Sequence, residues 1–208
     1  MIDSLDFSFF VISSIVLILA PGPDVLFLIA QSLQNGLRAG LAIALGLASG
    51  NLVHTLAAAL GVTLALQTNQ HALTVIQYLG AAYLLYLAYQ ALSATRAKES
   101  KKISSSNQHV SYFIRGVLMN ILNPKVGIFF LAFLPQFIPA GSSQAHLVMM
   151  TLGVVFTVLV IIIFGSIAVL THYFKQRSVL HTINYQFFNY LSAFVFIAIA
   201  LHLLMAKF

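Results

Sequence analysis

The sequence predicts an all-α membrane protein of six transmembrane helices, arranged as two inverted three-helix repeats in which helices 1 and 4 are broken. Three observations predict it. Of 208 residues, 60% are hydrophobic and 7% charged, and the mean hydropathy is +0.97, whereas a soluble domain carries roughly 25% charged residues. The apolar residues gather into six stretches, joined by short polar connections and one long one. Two of those stretches are interrupted by proline beside a charge, at Pro21-Gly22-Pro23-Asp24 and at Asn123-Pro124-Lys125.

A bilayer core about 30 Å thick needs about 20 helical residues per crossing. The stretches at approximately 7–32, 39–66, 71–92, 112–137, 145–171 and 183–206 each meet that length. Asp3 and Asp6 lead into the first stretch, and its apolar run continues past the length of a signal-peptide core, so it reads as a membrane helix and not as a cleavable leader. The competing arrangement has five helices, with the first segment re-entrant. On the second stretch, Gly36, Gly40, Gly46 and Gly50 form small-xxx-small patterns, which signal close helix packing within one protomer or in a homodimer. Asn51 and His54 follow on one helical face. The third stretch carries Tyr83, Tyr86 and Tyr89 as a stripe suited to packing or interfacial anchoring. Arg115 opens the fourth and is placed to snorkel. The last two stretches offer little beyond apolarity.

Residues 93–111 are rich in Ser, Lys, Asn and Gln without apolar periodicity, which marks a solvated connector. It divides the chain into a first repeat, 1–92, and a second, 112–208. Three helices per half make the second half enter the bilayer from the opposite side, the condition for an inverted repeat. Superposing Pro23 on Pro124 brings Asp24 over Lys125 and Val25 over Val126. Arg38, the connector residues Arg96, Lys98, Lys101 and Lys102, and the pair Lys175 and Arg177 all fall on one side of the bilayer. By the positive-inside rule that side is cytoplasmic, which places both termini outside. The same distribution accounts for the net charge of +6 without a nucleic-acid partner.

No cysteine is present, which removes thiol chemistry and disulfides. His71, His109, His146, His172 and His181 have no ligand spacing, so no metal or other cofactor is expected. No Gly-x-Ser-x-Gly, His-Glu-x-x-His or Walker-type loop occurs, and Asp24 has no second membrane acid to pair with, so the sequence does not read as an enzyme or a direct ATP-driven pump.

The breaks carry the chemistry. Proline withdraws a backbone donor and clashes with the preceding turn, and Gly22 adds freedom to unwind. Unwound backbone at membrane depth is tolerated where it is buried in protein or lines a watery cavity. A packing kink is the plain alternative. Ionisable residues inside the membrane point instead to a binding cavity. The half-helices starting near Pro23 and Pro124 both have their N-termini near mid-membrane, where their dipoles favour an anion. Asp24 suits such an end as a dipole partner, cap, or acceptor of an ammonium. Lys125 opposes the dipole and needs an anion, either Asp24 or a substrate carboxylate. A molecule with both an ammonium and a carboxylate, such as an amino acid, would exchange partners with the two. His54 is open to two roles, proton carrier or packing residue.

The segments PGPDVLFL, YLGAAYLLYLAYQAL and FIRGVLMNILNPKVGIFFLAFLPQF, with the glycine-rich second stretch and its histidine, resemble the lysine-exporter and threonine/homoserine-efflux family of bacterial amino-acid exporters. The resemblance extends over essentially the whole chain. It implies proton-driven secondary efflux of small neutral amino acids or derivatives across the bacterial inner membrane, with export of basic amino acids or a non-transport assembly role as alternatives. Carried onto this chain, the motif residues are Pro21, Gly22, Pro23, Asp24, Asn123, Pro124 and Lys125, with Gln136 in the Pro-Gln-Phe element. Substrate binding is expected at Gly22, Pro23, Asp24, Asn51, Asn123, Pro124 and Lys125, and proton coupling at Asp24 or His54.

Overall fold

The computed structural model describes residues 4–20, 22–68, 70–93, 108–138, 144–174 and 185–205. Pro21 and most of the 93–111 connector lie outside the described residues. All regular structure among the described residues is helical.

Helix α1 (Ser4–Leu19) and helix α2 (Pro23–Asn35) meet at the first break and bend by 56°. Proline at the first position of α2 costs no hydrogen bond, because that N–H has no partner in a helix start. Gly36 ends α2 at φ 82, a left-handed value that a side chain would resist, and its N–H bonds to Ser32 O at 3.1 Å. The sequence pattern assigned Gly36 to helix packing; it is the turn into α3 (Leu37–Thr68) instead. After α4 (Gln70–Ser93), helix α5 (Gln108–Ile121) meets α6 (Pro124–Ile128) at the second break. The bent pair there turns by 49°. The chain then widens into a π-helical turn at Phe129–Phe133 and tightens into a 3₁₀ turn at Leu134–Phe137. Helices α7 (Ala145–Phe174) and α8 (Tyr185–Met205) complete the bundle.

By length and composition, α3 and α7 can each cross a membrane alone, and each bent pair can make a further span. Large apolar side chains also cover the outside of the bundle, Leu60 at 67% exposure and Leu122 at 76% among them. In water such coverage would be a liability, and in lipid it is the expected surface.

α3 lies along both α5 and α7, α4 lies along α8, α1 and α2 lean on α7, and the π turn leans on α4. α3 and α5 approach backbone to backbone, where a methyl on Gly46 would stand 2.2 Å from Phe113 O and one on Gly116 would stand 2.6 Å from Ile43 O. Only glycine lets the two backbones touch there. At the other end of the α5–α6 span, a train of rings joins the broken helices: Phe129 and Phe133 at 4.8 Å, Phe133 and Phe137 at 5.0 Å, Phe10 and Phe137 at 5.5 Å. The start of α1 and the end of the fourth span therefore lie together.

Gly116→Ala forces backbone against backbone and is expected to cost about 1–3 kcal/mol. Gly165→Ala, where an added methyl meets nothing within 4 Å, should be neutral or slightly stabilising by helix propensity. Melting of the two variants in detergent separates them: equal midpoints would contradict the packing assigned to α3 and α5.

Candidate functional site

Each break exposes a carbonyl end and an amide end, and at each break one carbonyl is met by a side chain from elsewhere. In the first break, the carbonyl of Ala20 ends the α1 turn and accepts a hydrogen bond from Lys125 Nζ at 3.0 Å. In the second, the carbonyl of Asn120 sits four residues before Pro124, which has no N–H to return. Asn123 N reaches it at 2.9 Å and His54 Nε2 at 3.0 Å. Because a carbonyl only accepts, His54 must carry its proton on Nε2 in this bond. The ring also lies against Phe130 and Gly127.

Lys125 was expected to need Asp24 or a substrate as its anion. The structure gives it a third partner, the carbonyl end of α1, where the helix dipole favours a cation. The ammonium is thus relieved of its poor position on α6 by reaching across to the C-terminal end of another helix. Asp24 stands in the first turn of α2, the end that favours an anion, and its Oδ1 is buried with no hydrogen-bond partner. A methyl on Gly22 would fall 2.6 Å from Asp24 Oδ1 and 3.5 Å from Lys125 Nζ. Both charges therefore crowd the one residue of the break that has no side chain. Asp24 is 3% exposed and Lys125 5%.

Asn123 does local work. Its side-chain oxygen accepts from Lys125 N at 3.0 Å and caps α6, which leaves its Nδ2 buried and unpartnered. Asn51 Oδ1 accepts from Asn120 Nδ2 at 3.0 Å, tying α3 to α5. Gly50 makes room for that pair, since a methyl there would meet the Asn120 side chain at 2.7 Å.

Asp24, Lys125, Asn51 and Asn120 line one side of a small internal cavity. The rest of the lining is apolar, with Phe156, Val160 and Phe164 from α7, Leu17 and Ile18 from α1, and Val126 from α6. Phe156, Val160 and Phe164 recur every fourth residue and so present one face of α7. The volume open to the centre of a water molecule is about 10 Å³, room for about one water. The site is closed in this conformation.

Of the residues expected at the site, Asp24, Lys125 and Asn51 line the cavity, and Gly22 lies against the two charges. Pro23 and Pro124 start their helices, and Asn123 caps the second. His54 reaches the cavity only through Asn120. Gln136 bonds to Ala132 O one turn back on its own helix. Asn120 and the aromatic wall were not anticipated. Asn120 was findable, as a polar residue one turn before a membrane proline. The wall was not, because α7 is apolar on every face.

Asn123→Ala removes the α6 cap and is expected to destabilise the protein by about 1 kcal/mol, whereas Asn123→Ser keeps a capping oxygen and most of that stability. Thermal midpoints that fall equally for both would contradict the capping role.

Residues 15–207 match the family model described as LysE type translocator. The chain is 32% identical to the uncharacterized membrane protein PA4757 of Pseudomonas aeruginosa over 72% of both chains. It is 30% identical to the uncharacterized membrane protein YrhP of Bacillus subtilis over 77% of this chain and 80% of that one. No solved structure matches it.

Proposed function

The chain belongs to the LysE type translocator family, a family of membrane transporters, and we propose that it exports small neutral amino acids across the bacterial inner membrane in exchange for protons. The observation that carries this reading is the buried juxtaposition of one carboxylate and one ammonium, each on a broken-helix end, around a cavity otherwise lined by two amides and apolar side chains.

A zwitterion answers that arrangement. Its ammonium goes to Asp24 Oδ1, the buried acceptor without a partner. Its carboxylate draws Lys125 Nζ from Ala20 O and faces the α2 N-terminus, where Gly22 provides no side-chain cap. Asn51 and the spare Nδ2 of Asn123 add neutral hydrogen bonds. Export of basic amino acids is less well served, because the cavity lining offers no second carboxylate for a second substrate cation.

Alternating access would run between two inverted three-helix repeats, a reading supported by the pairing of α3 with α7 and of α4 with α8, the helices that a pseudo-two-fold would bring together. The glycine crossing of α3 with α5 closes the cytoplasmic exit, and the phenylalanine train closes the outer one. Both termini lie outside and the 93–111 connector inside. Asp24 carries the coupling proton when no ammonium occupies it. His54 couples at one remove, because a change in its bond to Asn120 O alters the second break.

Asp24→Asn and Lys125→Ala proteins that insert normally should each lose at least about 90% of efflux of a preloaded amino acid, since each removes the partner of one charged end of the substrate. The double exchange Asp24→Lys with Lys125→Asp should not rescue, because it puts the ammonium in the first turn of α2 and leaves Ala20 O without its donor. Efflux surviving either single change would contradict the site. In inverted vesicles an acidic lumen, equivalent to the outer face, should accelerate uptake, and indifference to both pH gradient and membrane potential would contradict proton coupling.

A further inference from the structure

The end of the fourth span is wound unevenly, and one side chain supports the winding. Backbone bonds reach back five residues in the π turn at Phe129–Phe133, where Leu134 N–H meets Phe129 O. They reach back three in the 3₁₀ turn at Leu134–Phe137, which ends with Ile138 N bonded to Pro135 O at 3.1 Å. An α turn reaches back four, so one residue is gained in the first turn and returned in the second. The chain leaves the pair in the register of an unbroken α-helix, and Phe137 comes to rest on Phe10 at 5.5 Å. Pro135 accounts for the wide turn, because it has no N–H for Leu131 O and its ring would crowd that carbonyl in an α turn. The tight turn needs other support.

Gln136 supplies it. In a 3₁₀ turn the backbone N–H of Gln136 is directed three residues back, away from Ala132 O, the acceptor it would have in an α-helix. The side chain of the same residue takes over, with Nε2 donating to Ala132 O at 3.3 Å. A carbonyl only accepts, so the amide nitrogen must face it, and Oε1 is left buried with no partner. Ala132 itself is wedged against α4, where a methyl on Gly80 would stand 2.3 Å from its Cβ. The bond therefore ties the 3₁₀ turn to a fixed point of the bundle. Were that turn to relax into α, the surplus residue of the π turn would not be returned, and Phe137 would be carried about 100° round the helix, away from Phe10.

We propose that Gln136 is a positioning residue of the outer gate, which opens when the 3₁₀ turn relaxes and Ala132 O passes from the Gln136 side chain to the Gln136 backbone N–H. The carbonyl is satisfied in both states, as a hydrocarbon surrounding requires. Closing leaves Oε1 dry and opening releases it, which keeps the closed state from being locked. The proposal rests on the reading of the phenylalanine train as the outer closure. It adds the residue that holds the train in line and the motion that parts it.

The chain has no cysteine, so Ile18→Cys puts a single thiol on the cavity wall. Its labelling by a membrane-impermeant maleimide is followed from each face, in right-side-out and inverted vesicles. Methionine matches glutamine in length and cannot donate. Gln136→Met should speed labelling from outside at least about fivefold, the order expected for one lost hydrogen bond, without speeding it from inside. Phe137→Ala, which removes the gate ring itself, should act in the same direction. The two faces are compared within each variant, so a protein that is merely loosened labels faster from both and overturns the proposal. Faster labelling from the inside alone overturns it too. Outside labelling that responds to Phe137→Ala but not to Gln136→Met overturns the role of Gln136 and leaves the gate in place. No response to Phe137→Ala, whatever Gln136→Met does, means that the train is not the outer closure, and the inference falls with it.

Discussion

A proline in a membrane helix strands the carbonyl one turn back, the bend beside it frees others, and in hydrocarbon no water comes to meet them. The organisation of this protein follows from how one such carbonyl at each break is met. Lys125 crosses from α6 to Ala20 O at the end of α1, and His54 crosses from α3 to Asn120 O in α5. These bonds do not repair each break from within its own helix. They fasten each break to a different part of the bundle, so that neither kink can straighten or close without disturbing a neighbour.

The same bonds decide where charge sits. An ammonium in the first turn of α6 is unfavourable on its own helix and favourable at the end of α1, and its long side chain spans the difference. Asp24 takes the opposite end of the same interruption. The first break is therefore a dipole cut open, with a cation at its carbonyl side and an anion at its amide side. Gly22 lies between them because any larger residue would strike the carboxylate. A zwitterion is the complementary object of the proposed export, one that would give Lys125 a better partner than a backbone carbonyl and Asp24 Oδ1 the partner it lacks.

The breaks, the charges and the approximate extent of the helices were legible in the sequence because proline, charge and apolar run length are local signals. The partner of Lys125 was not legible, since Ala20 is an unremarkable residue whose carbonyl becomes available only through the bend. Gly46 and Gly116 carried a weak signal that packing resolved, and Gly36 carried the same signal for a different reason, a left-handed turn. The π and 3₁₀ turns after α6 left no trace in a run of phenylalanines and leucines. The wall formed by Phe156, Val160 and Phe164 was hidden for the general reason that a helix with lipid on one side and a core on the other is apolar throughout.

With about 10 Å³ free, the cavity holds no amino acid in this conformation, so binding must part the walls and release Lys125 from Ala20. The affinity of the site for its substrate therefore depends on Lys125 having somewhere better to go. Equilibrium binding of the exported amino acid to purified wild-type protein and to Lys125→Met, at matched thermal stability, tests this most directly. The account predicts one saturable site in the wild type and an affinity at least about tenfold weaker in the variant, the order expected for losing a charge-assisted hydrogen bond. Equal affinity in the two proteins would contradict it.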